Sequence, residues 1–318
     1  MHFDGKRLPT GKGNIKQQEE YQVIFLQSPT KEIKLGVIRC ESGSAENIFK
    51  GIRTIIDDYD AWSSIKMIIC DTAVVNTGHK NGDVVRIQQK MLQMGLNMPQ
   101  YIGCQHHVLD RILKHVLDFY LNKHTTGPNL NYTFIDEITE GYEVLKESYT
   151  PEVEMLAVEN PGWRDDFRFL YILRLAFRQY KENRKLPKII WQSLPSIHSA
   201  RWNSRAIYSL IAYFLLPNWR EILETPVFFI AFGWQEVWFS NQRFNNEIYD
   251  KLLSNIKETK CRTAEKCFKT HWSKENSAID IPRSNIITER GIKLMEEVRK
   301  TCKTDKYLNT KFVSKNNF

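Results

Sequence analysis

The sequence predicts an α/β protein, with a mixed five-stranded sheet in the order 3-2-1-4-5 and a large, mostly helical insertion. Three observations predict it. Three strand-like segments follow one another in the first 40 residues with only turn-length connections, which implies an antiparallel meander. Two later strand segments are each reached through a stretch of helical spacing, which implies parallel additions. From residue 121 to 280 the two-residue period gives way to helical faces.

His2 to Leu8 is the first strand candidate, and Gly11-Lys-Gly-Asn14 is turn-like. Tyr21 to Gln27 is a second strand, dominated by Val23, Ile24, Phe25 and Leu26, and Ser28-Pro29-Thr-Lys31 makes the next turn. Ile33, Leu35 and Val37 then alternate with Lys34 and Gly36 at the period of a third strand. Ser44 reads as an N-cap for a helix whose Ile48, Ile52, Ile55 and Ile56 share a face. Met67-Ile-Ile-Cys70 is a short continuous apolar run, the mark of a buried parallel strand. Gly82 leads into a helix with Val84, Ile87, Met91 and Met94 on one face. Pro99 opens a fifth strand, Tyr101 to Gly103, and a helix with Val108, Ile112, Val116 and Phe119 follows. The order β-β-β-α-β-α-β-α is the plan of the ribonuclease H fold.

In the helical part, Phe169, Ile172, Leu173, Ala176, Phe177 and Tyr180 trace one face and Ile207 to Leu215 another. The aromatic-rich run from Phe228 to Phe239 reads as core rather than as a stacking platform. The expected division is therefore a sheet half at 1–120, a mostly helical region at 121–280, and a C-terminal helix at 281–318 that packs back on the sheet.

Composition bounds the function. Of 318 residues, 42% are hydrophobic and 26% charged, the profile of a globular chain. The longest apolar runs fall far short of the roughly 18–20 residues that span a bilayer, and the opening His2-Phe-Asp-Gly-Lys-Arg7 is no signal peptide. Six scattered cysteines do not form a disulfide framework, so a reducing compartment, nuclear or cytoplasmic, is expected. A formal net charge of +8 favours a polyanionic partner. Around Gly11-Lys12 a phosphate loop fails, because Lys6 stands where its first Gly belongs and Gly13 replaces the Ser/Thr. Gly-x-Ser-x-Gly, His-Glu-x-x-His and Gly-x-Gly-x-x-Gly are absent, and no organic cofactor is expected.

Two carboxylates stand out. Asp4 lies inside the first strand candidate, and Asp71 follows the buried run Met67–Cys70 at the strand's carboxyl end, where open α/β sheets place their sites. If the first and fourth strands are neighbours the two converge, and converging carboxylates call for a hard cation such as Mg²⁺ or Mn²⁺. Cys104 and His107 make half of a zinc-like spacing, for which Cys261, Cys267 and His271 offer no convincing second pair.

Five segments in order resemble the hAT superfamily of DNA transposases, in a diverged group. Phe3-Asp4-Gly5-Lys6 resembles its first catalytic strand, and Cys70-Asp71-Thr72-Ala-Val-Val-Asn76-Thr77-Gly78 its second. Cys104-Gln-His-His107-Val-Leu109 is similar to the family's Cys-x-x-His-x-Leu motif, and Arg201-Trp202-Asn203-Ser204 to its Arg-Trp motif. Pro282-Arg-Ser-Asn-Ile-Ile-Thr-Glu289-Arg290 is similar to the late segment that delivers the third acid on a helix.

The resemblance implies that Asp4, Asp71 and Glu289 hold two divalent ions, with Asp71 bridging them, for strand cleavage and transfer on DNA. It implies supporting roles for Cys104, His107, Arg201 and Trp202, with Arg201 paired to a phosphate or a carboxylate and Trp202 in the core. Self-association is a further expectation. Met1 stands three residues before Asp4, so the resemblance also implies a chain shortened at its N-terminus, without the family's DNA-binding module. Largely non-specific DNA binding and impaired cleavage are then expected. The alternatives are a domesticated, inactive remnant that binds DNA or protein, and a metal-dependent nuclease without strand transfer.

Overall fold

A computed structural model of the chain describes residues 1–9, 18–28, 31–125, 131–155, 164–195, 203–239, 246–272 and 310–311. The chain divides into two compact units, residues 1–107 with 281–318, and residues 108–280. The first division falls at the start of a helix rather than after it, so most of the helix expected to close the sheet half counts with the second unit.

In the first unit, β1 (His2–Pro9), β2 (Gln18–Gln27) and β3 (Glu32–Cys40) form the antiparallel meander. Parallel strands β4 (Met67–Cys70) and β5 (Gln100–Gly103) extend it from the other side of β1. The five run in the order 3-2-1-4-5, as the sequence predicts. A two-residue β6 (Thr310–Lys311) pairs antiparallel with β3 at Gly36 and Val37. These two are the described residues of 281–318. Where a helix was expected they form a strand, which satisfies backbone groups on the open edge of β3.

One face of the sheet carries a core that joins Phe3, Ile24, Leu35, Ile38 and Ile68 to two helices. Helix α1 (Ala45–Asp58) buries Ile48, Ile52, Ile55 and Ile56, and the Ser44 hydroxyl caps it by accepting from the Asn47 amide at 3.3 Å. A single turn, α2 (Val74–Thr77), precedes α3 (Asp83–Gln93), which buries Val84, Ile87 and Met91. Each such aliphatic side chain contributes about 1.5–3 kcal/mol when fully buried.

The second unit is helical among its described residues. Helix α4 (Gln105–Tyr120) begins in the first unit; α5 (Thr133–Ser148), α6 (Asp165–Asn183) and α7 (Ser204–Leu215) follow. Then come α8 (Arg220–Phe229), α9 (Gln235–Phe239), α10 (Asn246–Glu258) and α11 (Arg262–His271). Every residue of α7 is buried, so it is this unit's central helix. A π-helical turn, Ile230–Trp234, joins α8 to α9. On either side of it Glu224 and Glu236 pair with Lys181 and Arg174 of α6, and Arg178 lies 4.7 Å from the Phe232 ring. Trp234 is fully buried and donates from Nε1 to the Leu109 carbonyl at 2.9 Å, so the centre of the aromatic run is core. No helix among the described residues is long and apolar enough to cross a membrane.

Candidate active site

The sheet register sets the site. On the parallel strands β1 and β4, His2 stands opposite Ile69, and on β4 and β5 Ile69 stands opposite Ile102. Side chains on a strand return to the same face every two residues. Asp71 and Cys104 directly follow the carboxyl ends of β4 and β5, and Asp4 is the third residue of β1, two positions beyond the His2–Ile69 pairing. Asp4 therefore lies on β1 and Asp71 just past the end of its parallel neighbour β4.

Asp71 is held firmly. Its Oδ1 accepts from the Ala73 amide and from Asn76 Nδ2, both at 2.7 Å. An Asp that bonds its own backbone two residues on is an Asx turn; here Asn76 adds a second clamp and leaves Oδ2 outside both bonds. The turn then closes on itself, because a Cβ at Gly82 would stand 2.5 Å from the Gly78 nitrogen and 2.8 Å from the Asn76 carbonyl. Only a glycine lets the backbone approach so closely. Asp4 Oδ1 accepts from the Gly5 amide at 2.7 Å. At Gly5 a Cβ would meet Gln22 Nε2 at 2.1 Å, because the Gln22 side chain lies across this position.

Cys104 is buried, and its amide donates to the Cys70 carbonyl at 3.0 Å. His107, in the first turn of α4, places Nδ1 3.1 Å from Cys104 Sγ. Cys104 and His107 therefore meet each other, which fits a hydrogen bond at a helix start.

Charge is crowded here. Burial pushes the Cys70 thiol well above its usual range, and Asp71, Asp83, Cys104 and Asp4 push it further. Three carboxylates thus lie within electrostatic reach of one sulfur. Asp83, the first residue of α3, is fully buried, and neither of its oxygens has a hydrogen-bond partner. Burial raises its pKa to about 8 despite Arg86 nearby, and Asp71 adds to the rise. His2 is driven down to about 3, first by burial, then by the N-terminal ammonium and by His107.

Glu289, Arg201 and Trp202 lie outside the described residues. Among the described residues no three His, Cys, Asp or Glu side chains stand in a metal-ligating group. Sequence reasoning quoted Asn76 within the Asp71-to-Gly78 segment and missed Asp83. An Asp after a glycine reads as a first-turn acid facing solvent, and nothing local marks its burial. It also missed Arg205, one residue into α7, whose side chain is 1% exposed and pairs with Asp110 of α4. The chain matches no protein-family model, and no curated protein matches it.

Proposed function

We propose that the chain is the catalytic region of a hAT-like DNA transposase with a ribonuclease-H-like sheet, acting by metal-dependent phosphoryl transfer. The observation that carries this reading is the adjacency of the parallel strands β1 and β4 in a 3-2-1-4-5 order, with Asp4 on β1 and Asp71 just past the end of β4. The donors suit a hard divalent cation, since the carboxylates of Asp4 and Asp71 both lie within electrostatic reach of the Cys70 thiol. Asp4 and Asp71 would hold Mg²⁺ or Mn²⁺, with Glu289 proposed as the third acid. Held by Asp4 and Asp71, such an ion would supply activation of the attacking oxygen and neutralisation of charge on the leaving oxygen.

The protein's own groups orient that site. Ala73 and Asn76 fix Asp71 Oδ1 and so aim Oδ2, while Gly5 ties Asp4 in place. Residues 281–318 hold nine Lys and Arg against four Asp and Glu, which suits contact with phosphates. Such binding is non-specific and falls steeply with salt, by orders of magnitude between about 50 and 200 mM.

The test is nicking of supercoiled plasmid by the full chain with and without Mn²⁺, beside Asp71→Ala. Metal-dependent nicking that vanishes in Asp71→Ala supports the reading. Nicking that persists in the variant removes Asp71 from the chemistry, and no nicking by the wild type removes the activity.

A further inference from the structure

β3 is the open edge of the meander. β2 lines one side of it from Glu32 to Cys40. On the other side, among the described residues, Lys311 and Thr310 pair with Gly36 and Val37, two of its nine positions. An open edge is a template for another chain unless charge, proline, a bulge or a cover blunts it. Here the charged residues Glu32, Lys34 and Arg39 stand towards the two ends, and β3 holds no proline. One bulge leaves Leu35 between the Lys34–Phe25 and Gly36–Ile24 pairs. The central run Leu35-Gly-Val-Ile38 is uncharged and buried, so its outward backbone groups need partners from another strand.

The sequence around Thr310 suits that role. Tyr307-Leu-Asn-Thr-Lys-Phe312 has no Gly or Pro, and Leu308, Thr310 and Phe312 alternate with Asn309 and Lys311 at the period of a strand. Carried back from the Val37–Thr310 pair, the antiparallel register sets Asn309, Leu308 and Tyr307 opposite Ile38, Arg39 and Cys40. Strand alternation then puts Leu308 and Phe312 on the face of Thr310, which is the face that Val37 shares with Val23 of β2.

We propose that β3 is a docking edge for this chain's own C-terminal segment: residues 307–312 of the same copy add to it as a sixth strand and close the sheet against pairing with a second copy. The occupant is the chain itself because residues 281–318 group with residues 1–107 of their own chain. Main-chain bonds hold such an added strand, and its alternate side chains fix the register. The closure is independent of phosphoryl transfer, since β3 carries neither acid of the candidate site.

Hydrogen exchange of the full chain tests it, wild type beside the double variant Thr310→Pro, Lys311→Pro. Proline has no amide to give to a ladder, and changing both residues removes the donor whichever of the two faces β3. In the variant, peptides covering 32–40 should exchange at least about tenfold faster, and peptides covering β4 should keep their wild-type rate. Dilution of the wild type to a monomer, followed by sedimentation, should leave the protection of 32–40 unchanged. Equal exchange of 32–40 in the two proteins overturns the docking. An equal speeding of β4 overturns it as well, because the segment then holds the whole unit and not its edge. Protection that is lost as the protein dissociates gives the edge to a second copy and overturns closure within one chain.

Discussion

The ion pair between Arg205 and Asp110 gives the sharpest test of how the helical unit is held together. Arg205 lies in the wholly buried helix α7, where its side chain is 1% exposed, and Nη1 donates to Asp110. Its Nε and Nη2 have no partner, so it already carries an unsatisfied burden of about 1–3 kcal/mol per group. Asp110→Ala would leave the guanidinium buried without its counter-charge, a change that costs about 3–5 kcal/mol. At roughly 2–4 °C per kcal/mol for a unit of this size, Tm should fall by about 6–20 °C. Replacing both residues by Leu and Met of similar volume should restore stability to within about 1 kcal/mol, because apolar packing commonly matches a buried pair. Urea and thermal unfolding of the full chain measure both variants. A loss under about 1 kcal/mol for Asp110→Ala, or a double variant no better than the single, would refute the argument that Asp110 neutralises Arg205.

Two further outcomes are expected. Gly5→Ala should change the stability of the sheet unit by less than about 1 kcal/mol, because the atoms its Cβ would meet, Gln22 Nε2 at 2.1 Å and Glu20 Oε1 at 2.9 Å, end flexible side chains that can swing aside; a larger loss in urea unfolding would show that those side chains are held in place. Burial pushes the Asp118 carboxyl up, but hydrogen bonds from Lys114, Tyr132 and Thr125 outweigh it and hold the group below its ordinary range. Its contribution is therefore present above the ordinary carboxylate pKa and lost as pH falls below about 4. Asp118→Asn should flatten that acid limb of the stability profile, and an unchanged limb would remove Asp118 as its source.

What the sequence revealed depended on how local the cause was. Ile48, Ile52, Ile55 and Ile56 repeat within one helix, and Met67–Cys70 is apolar without a break, so α1 and β4 were legible from periodicity alone. The adjacency of the strands that lead to Asp4 and Asp71 was legible because the order of strands and helices in the chain implies it. β2 begins at Gln18 rather than Tyr21, since polar residues there continue the hairpin ladder against Leu8 and Pro9. No periodicity marks that extension. Asp83 and Arg205 were illegible for a different reason: each sits in an ordinary helical pattern, and its burial is decided by elements distant in the chain. Asp110 lies 95 positions from Arg205.

The most direct test of the central claim is the binding of Mn²⁺ to the full chain, followed by electron paramagnetic resonance. If Asp4 and Asp71 jointly hold the ion, the wild type binds it saturably. Asp4→Asn and Asp71→Asn should each weaken binding by at least about tenfold, or 1.4 kcal/mol. Binding left unchanged by both substitutions would show that the two carboxylates are not a metal site, and the phosphoryl-transfer function would fall with it.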